Sequence, residues 1–276
     1  MSYNNFIPTV WAETINRDLE RNHVFVADCN REYEGKVSKL GDTVRILGIG
    51  KPTIKTQIGG NIELTGAETV SDSSVSMLID HVSYFDYMVD DIDKRQAVGG
   101  VMDALSKESS EALANEQDIA VSNLSKDKLV TRLDSAAQSI SKDNILAYID
   151  KGLEVLYGND VKPDGFISIT VPPWFYLMLK QAYTALDTDN SKMLENGKVG
   201  RYGNVIVRMS NNVATDTQGN SLIQLKTNKA FAFANPMTHT EPYRPEKRFS
   251  DAVKGFVLYG AKVVRPKECV ILNCKH

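Results

Sequence analysis

Between Gly41 and Tyr87 the chain carries two strand-forming runs around a glycine-containing tip, and this pair limits the possible folds more than any other feature. Thr43, Val44, Arg45, Ile46 and Leu47 open one strand, and Thr53, Ile54 and Lys55 continue it. Ile58, Gly59, Gly60 and Asn61 form the tip, and Val75 to Tyr87 makes a long return. Along the return, Val75, Met77 and Ile79 fall on one face and Leu78, Val82 and Tyr84 on the other, so neither face reads as solvated. A two-stranded ribbon buries too little surface to offset its own ordering entropy. A hairpin this long is therefore expected to lie on something else, and in a chain without a catalytic motif a neighbouring copy of itself is the natural candidate. Lys51, Lys55, Ile58, Asn61, Met77 and Ile79 are the expected inter-subunit contacts. The competing reading is an ordinary central strand of a two-layer domain, covered on both faces by its own chain.

The 276 residues suffice for one large domain or two smaller ones. Thirty-two basic against thirty-five acidic residues give a formal charge of −3, with no lysine- and arginine-rich block, which argues against tight sequence-specific DNA binding. No apolar run approaches the roughly 20 residues that cross a bilayer, so no membrane partner is expected. The first residues, Met-Ser-Tyr-Asn-Asn-Phe-Ile-Pro, lack the basic and apolar regions of a signal peptide, and a chain that stays in the cytoplasm where it is made is expected. Three cysteines, Cys29, Cys269 and Cys274, fit reduced thiols better than a disulfide framework. Cys269, Cys274 and His276 match no paired-ligand zinc spacing, and no metal or cofactor is expected.

Residues 1–35 read as an arm with a short helix, in which Thr9 is the cap and Trp11, Ile15 and Leu19 recur along one side. After the hairpin a long helix is predicted to begin near Asp90, Asp91 and Asp93, whose carboxylates suit a helix N-terminus. Val98, Val101, Leu105, Ala112 and Ile119 form its expected apolar stripe, with Lys94, Asp103, Lys107 and Glu111 outside. Beyond Lys126 the pattern shortens into a compact α/β module. Ser141 caps a helix bearing Ile145, Ile149, Leu153 and Leu156 and stopped by Gly158. Phe166 to Val171 is a strand, Pro172 and Pro173 open a helix through Leu186, and further strands cover 204–209, 221–226 and 229–234. A polar stretch from Asp187 to Gly203 reads as a long loop without Walker spacing. Within the final strands, Gly255 and Gly260 mark bulges or close backbone approach.

No Gly-x-Ser-x-Gly elbow, His-Glu-x-x-His helix or Cys-x-x-Cys pair is present, and the four histidines are scattered. An α/β enzyme would have to assemble its site from distant residues, with His81, Asp80 and Asp86 as the candidates.

The order of these parts resembles the major capsid proteins of tailed bacteriophages with the Hong Kong 97 type fold. The resemblance rests on the N-terminal arm, Tyr33-Glu34-Gly35 with Gly41-Asp42-Thr43-Val44 opening the extended loop, and Tyr84 through Asp93 leading to Gln96 in a spine helix. Gly203-Asn204-Val205 and Gly255 to Pro266 complete it. It implies an α+β chain with an arm over 1–35, an extended loop over 36–89, a peripheral domain over 90–135 and 235–276, and an axial domain over 136–234. It further implies a structural protein and not an enzyme, assembled in a host bacterial cytoplasm into the icosahedral shell of a virion. The implied partners are copies of itself as hexamers and pentamers, a portal protein and packaged double-stranded DNA. Because the loop opens by about residue 36, leaving no room for a built-in scaffold, a separate scaffolding protein is expected. Trp11, Ile15 and Leu19 would pack the arm, and Lys198, Arg201 and Tyr202 would sit in an axial loop. Some relatives crosslink lysine to asparagine; Lys51 and Lys55 lie on the loop, but no acid and asparagine partner is identifiable, so no such bond is predicted. An encapsulin-like bacterial compartment shares the fold and is the alternative.

Overall fold

The computed structural model describes residues 22–33, 40–49, 72–90, 101–184, 200–246 and 250–276. Its centre is a seven-stranded sheet in the order β4-β12-β9-β6-β8-β7, with β5 also pairing β12. The strands are β4 (Thr131–Arg132), β5 (Gln138–Ser139), β6 (Ile167–Val171), β7 (Arg201–Tyr202), β8 (Val205–Met209), β9 (Ser221–Thr227) and β12 (Cys269–Lys275). Period-2 alternation sorts the side chains onto two faces. Ile223 and Leu225 of β9, with Val270, Leu272 and Cys274 of β12, pack under helices α2 (Ile145–Gly158) and α3 (Pro173–Thr184) in an almost wholly apolar core. Leu222, Cys269 and Ile271 face the opposite way, toward the second half of α1 (Val101–Asn123) and the N-terminal segment around Phe25 and Val26.

Helix α2 follows the predicted stripe, burying Ile145, Ile149, Leu153 and Leu156. Its N-cap residue is Asn144, not Ser141. The Asn144 side chain instead accepts from the Ser141 amide at 2.8 Å and donates to the Ser139 carbonyl at 2.9 Å, fixing the entering turn. The stretch read as a loop to Gly203 ends in a short hairpin, Arg201 opposite Ile206 and Tyr202 opposite Val205, turned by Gly203 at φ +56. The C-terminal strand is an interior member of the central sheet, with β9 on one side and β4 and β5 on the other. Its fully apolar Val270, Ile271 and Leu272 are what a strand covered on both faces requires.

The long return is two strands, not one. β2 (Asp72–Leu78) pairs antiparallel with β1 (Thr43–Ile49), whereas β3 (His81–Asp90) joins β10 (Phe231–Tyr243) and β11 (Ser250–Val263) in a separate three-stranded sheet of order β10-β11-β3. The chain changes partner at Ile79, whose amide donates to the Asp42 carbonyl while its own carbonyl accepts from Gly41. Gly260 makes the crossing possible. A Cβ there would lie 2.5 Å from the Leu78 carbonyl oxygen and 2.8 Å from Ile79 Cδ1. Gly255 plays the same part beside Phe85, where a Cβ would meet the ring at 2.5 Å. Both glycines thus mark the close approach that the sequence indicated.

Asp90 ends β3, paired with Ser250, while Asp91 and Asp93, also expected at the start of the helix, lie outside the described residues. Helix α1 also turns a different face inward than its apolar residues predict. Ala112 and Ile119 are exposed, while Ser106, Ser110, Gln117, Asp118 and Ser122 are buried beside Leu113, Ala114 and Val121. The inward stripe is half polar because it meets backbone groups that need hydrogen-bond partners, so hydrophobic periodicity pointed about one residue off.

Candidate functional site: an exposed strand face and its buried anchor

β3 is an edge strand of its sheet, and its outward side chains are unusually apolar. Tyr84 is 80 % exposed, and Leu78 just before the crossover, Val82 and Met88 are each exposed over nearly half their surface. Register extends this face across the sheet. Tyr84 lies opposite Phe256 and Phe256 opposite His239, whose ring is 5.6 Å from that of Phe256. One row further on, Asp86, Lys254 and Glu241 align. Lys254 is 3.5 Å from Glu241 and sits over the Tyr243 ring at 5.1 Å, and the Tyr243 hydroxyl donates to Asp86 at 3.0 Å. Between β3 and α1 runs an open groove of about 610 Å³ lined by Val82, Tyr84, Phe85, Ala112, Leu113 and Glu116. An edge strand with exposed apolar side chains and a groove beside it has the character of surfaces that pair with another chain.

Further along this same face the chain closes on itself, for Leu258 stands opposite Val82 and Phe256 opposite Tyr84. Met77 and Ile79, expected as inter-subunit contacts, are fully buried with Val44, Ile46, Ala232, Ala234 and Leu258. The β1–β2 ribbon thus lies with its inner face on the three-stranded sheet of its own chain, and leaves the side chains of Leu78, Val82 and Tyr84 exposed. Of the other expected contacts, Lys51, Lys55, Ile58, Asn61, Trp11, Ile15, Leu19 and Lys198 lie outside the described residues. Arg201 is exposed on β7. Tyr202 donates to Asp150 at 2.8 Å and packs edge-on against Tyr183; burial, then the Asp150 carboxylate, raise its hydroxyl above the ordinary tyrosine value.

Behind the exposed face, a polar anchor ties the N-terminal segment to α1 and to the central sheet. The Asp118 carboxylate accepts from the amides of Val24, Phe25 and Val26 at 2.8, 3.0 and 3.0 Å. Burial pushes this carboxyl up, opposed by those amides and by His23. His23 Nε2 donates to Gln117 at 2.6 Å, one helical position away. Deeper in, Asp28 is fully buried and receives a two-pronged bond from Arg208 at 2.8 and 2.9 Å. Lys226, also fully buried, donates to the Asp28 carbonyl at 2.5 Å, lies 3.6 Å from the Cys29 sulfur and sits over the Phe231 ring at 5.2 Å. Gln224 reaches the carbonyls of Val121 and Ser122, and the Ser122 hydroxyl accepts from the Ala214 amide. None of these residues stood out in the sequence. The available signal was the polar recurrence Ser106, Ser110, Gln117, Asp118 and Ser122 at helical spacing.

The residues expected of an enzymatic site do not converge. His81 is 2.6 Å from Asp80, but both are about half exposed and the imidazole stacks on Tyr259. Asp86 lies five residues along the strand, about 16 Å away, and is engaged by Tyr243. Burial raises the thiols of Cys29, Cys269 and Cys274, that of Cys269 to about 12, which makes all three packing groups and not nucleophiles. Among the described residues, no three His, Cys, Asp or Glu side chains gather as a metal set, and no helix is long and apolar enough to cross a membrane.

No protein-family model and no curated protein matches the chain. Solved structures do. A structure from Mycobacterium phage Che8 is 28 % identical with a TM-score of 0.74, over 90 % of both chains. The capsid of Cyanophage P-SCSP1u is 15 % identical with a TM-score of 0.69, over 87 % of this chain and 85 % of the other. A virus-like particle from Pyrococcus furiosus is 10 % identical with a TM-score of 0.62, over 97 % and 99 %. By these likenesses this chain is an α+β protein with the fold of the tailed-phage major capsid proteins.

Proposed function

We propose that this chain is the major capsid protein of a tailed phage, a structural subunit that assembles as hexamers and pentamers into the icosahedral shell around double-stranded DNA. The observation that carries the reading is the two-way coverage: 90 % of this chain superposes on 90 % of a phage chain with 28 % identity, so the whole subunit is shared and not one module of it. The exposed side chains of Tyr84, Val82 and Leu78 supply what such a subunit needs, an apolar surface left open for a neighbour. On this reading residues 36–89 form the extended loop that crosses an adjacent subunit, α1 is the spine of the peripheral domain, and the α2–α3 module is the axial domain. Partners on this reading include a separate scaffolding protein and a portal protein, and the shell is built in the host bacterial cytoplasm before it becomes part of the virion. Each contact contributes a few kcal/mol, and closure of the shell multiplies them.

A second reading, a protein compartment of the encapsulin kind, draws on the near-complete coverage in both directions of the Pyrococcus furiosus particle. Electron microscopy of the purified chain, with nuclease-protected DNA measured in the same particles from infected cells, decides. Closed shells holding DNA support the phage reading, closed shells holding protein cargo support the compartment, and a stable monomer under all ionic conditions overturns both.

A further inference from the structure

Strand β6 lies inside the central sheet, flanked by β9 and β8. Ile167, Ile169 and Val171 face the apolar core under α2 and α3, so Ser168 and Thr170 point to the other side, where the N-terminal segment packs. Lys226 of β9 stands opposite Ser168, and Thr170 has Gln224 of β9 on one flank and Arg208 of β8 on the other. The two long cations rise from both flanks of β6 and meet at one residue. Arg208 donates twice to the Asp28 carboxylate, and Lys226 donates to the Asp28 carbonyl. This convergence sets Asp28 over β6 as a roof, with Lys226 and Arg208 as walls and Ser168 and Thr170 as floor. Floor and roof do not meet. Among the described residues, Ser168 Oγ and Thr170 Oγ1 have no hydrogen-bond partner, and neither has Gln224 Oε1, whose amide nitrogen is spent on the carbonyls of Val121 and Ser122. All three side chains belong to residues no more than 1 % exposed. Lys226 carries three ammonium protons for one carbonyl at 2.5 Å and a weak sulfur acceptor, Cys29, at 3.6 Å. A hydroxyl reaches one heavy atom beyond Cβ where lysine and arginine reach several, so the walls hold the roof higher than the floor can touch.

We propose that this chamber is a buried water-binding site, in which two ordered molecules accept from Lys226 and the Thr170 and Ser168 hydroxyls and donate to Gln224 Oε1 and the Asp28 carboxylate. Buried polar groups of folded chains are met by the chain or by ordered water, and a group met by neither costs free energy. Water suits this set because it donates and accepts at once. An anion would face Gln224 Oε1 and the Asp28 carboxylate, and a metal cation would face Lys226 and Arg208. The number follows from the strand: Ser168 and Thr170 are about 7 Å apart along it, more than the roughly 5.6 Å that a single water bridges. The N-terminal segment is thus pinned to the flanking strands by charge and rests on β6 through solvent.

Two measurements on the purified full chain test this, whether or not it forms shells. Thr170→Val keeps the side-chain shape and removes the hydroxyl. With water in the chamber the valine takes away one of its partners, and the melting temperature should fall by about 2 to 4 °C. A dry chamber gives the opposite sign, because the valine then removes a stranded polar group, so an unchanged or raised melting temperature overturns the proposal. Ser168→Ala should follow the same sign. A crystallographic or electron-microscopic map that shows ordered solvent decides on the wild type even where neither variant folds. Two separate peaks between Ser168, Thr170 and Asp28 are the expected result, and the map of Thr170→Val should lose the peak nearest position 170. A gap closed by side chains with no peak overturns the proposal, as does a single peak that bromide replaces on exchange, which marks an anion.

Discussion

The two faces of the central sheet are cored in different ways. Under α2 and α3 the packing is apolar side chain on apolar side chain, Ile149, Leu153 and Phe175 against Ile169, Leu225 and Leu272. On the other face, α1 and the N-terminal segment are joined as much by Asp118, Gln117, Gln224 and Lys226 as by Leu113, Phe25 and Val121. The apolar side needs volume in about the right place and tolerates exchange. The polar side needs particular atoms at particular distances, because removing one partner strands buried donors. It therefore specifies how the N-terminal segment lies, which a greasy contact of the same area would leave less defined.

The largest expected effect comes from the polar side. Asp118→Ala should cost about 3 to 5 kcal/mol at neutral pH in chemical denaturation, since three amides lose their acceptor in a buried site. Asp118→Asn, nearly the same shape, should recover only part of that, having one acceptor oxygen for three donors. Full recovery by asparagine would erase the distinction drawn between the two sides.

Ile149→Ala on the apolar side should cost about 3 kcal/mol, and Ile149→Leu less than about 1.5 kcal/mol, because repacking restores the volume. A leucine variant as damaged as the alanine one would show that this core is equally position-specific.

The α1 side should weaken in alkali. The Cys269 thiol, raised in the folded chain to about 12 from its ordinary 9.0, is neutral when packed. Its contribution is fully present below pH 9, where neither state is ionised, and is lost as pH rises from 9 towards 12, where only the unfolded chain ionises. Thermal melting of wild type and Cys269→Ala between pH 8 and 11 checks this; the wild type should lose more of its stability than the variant over that span. Native thiols should also resist a disulfide reagent until the chain unfolds.

The smallest effect on stability should come from the exposed strand. Tyr84→Ser should shift monomer unfolding by no more than about 0.5 kcal/mol yet abolish or distort shells under electron microscopy. Normal shells from this variant would move the contact surface elsewhere.

Residues with one dominant demand were legible from the sequence alone. The stripe of α2, the buried runs of β6, β8 and β9, and the proline opening of α3 follow from local pattern, because an apolar period of 3.6 or 2 has one way to be satisfied. Gly255 and Gly260 could be read as places of close approach, since only a missing side chain admits Phe85 and the Leu78 carbonyl. Which backbone would arrive there could not. The tertiary structure alone decided that the return strand changes sheets at Ile79, that Met77 is covered by its own chain, and that the C-terminal strand pairs in the central sheet. It alone turned Asp118 and Ser110 inward on α1. Each of these depends on a partner distant in sequence: strand pairing is chosen by backbone groups common to every residue, and a buried carboxylate is tolerable only once three amides from 92 to 94 residues away are in place. Local pattern carries the hydrophobic demand of a segment, and only the folded chain supplies the hydrogen-bond partners that settle where a polar residue can go.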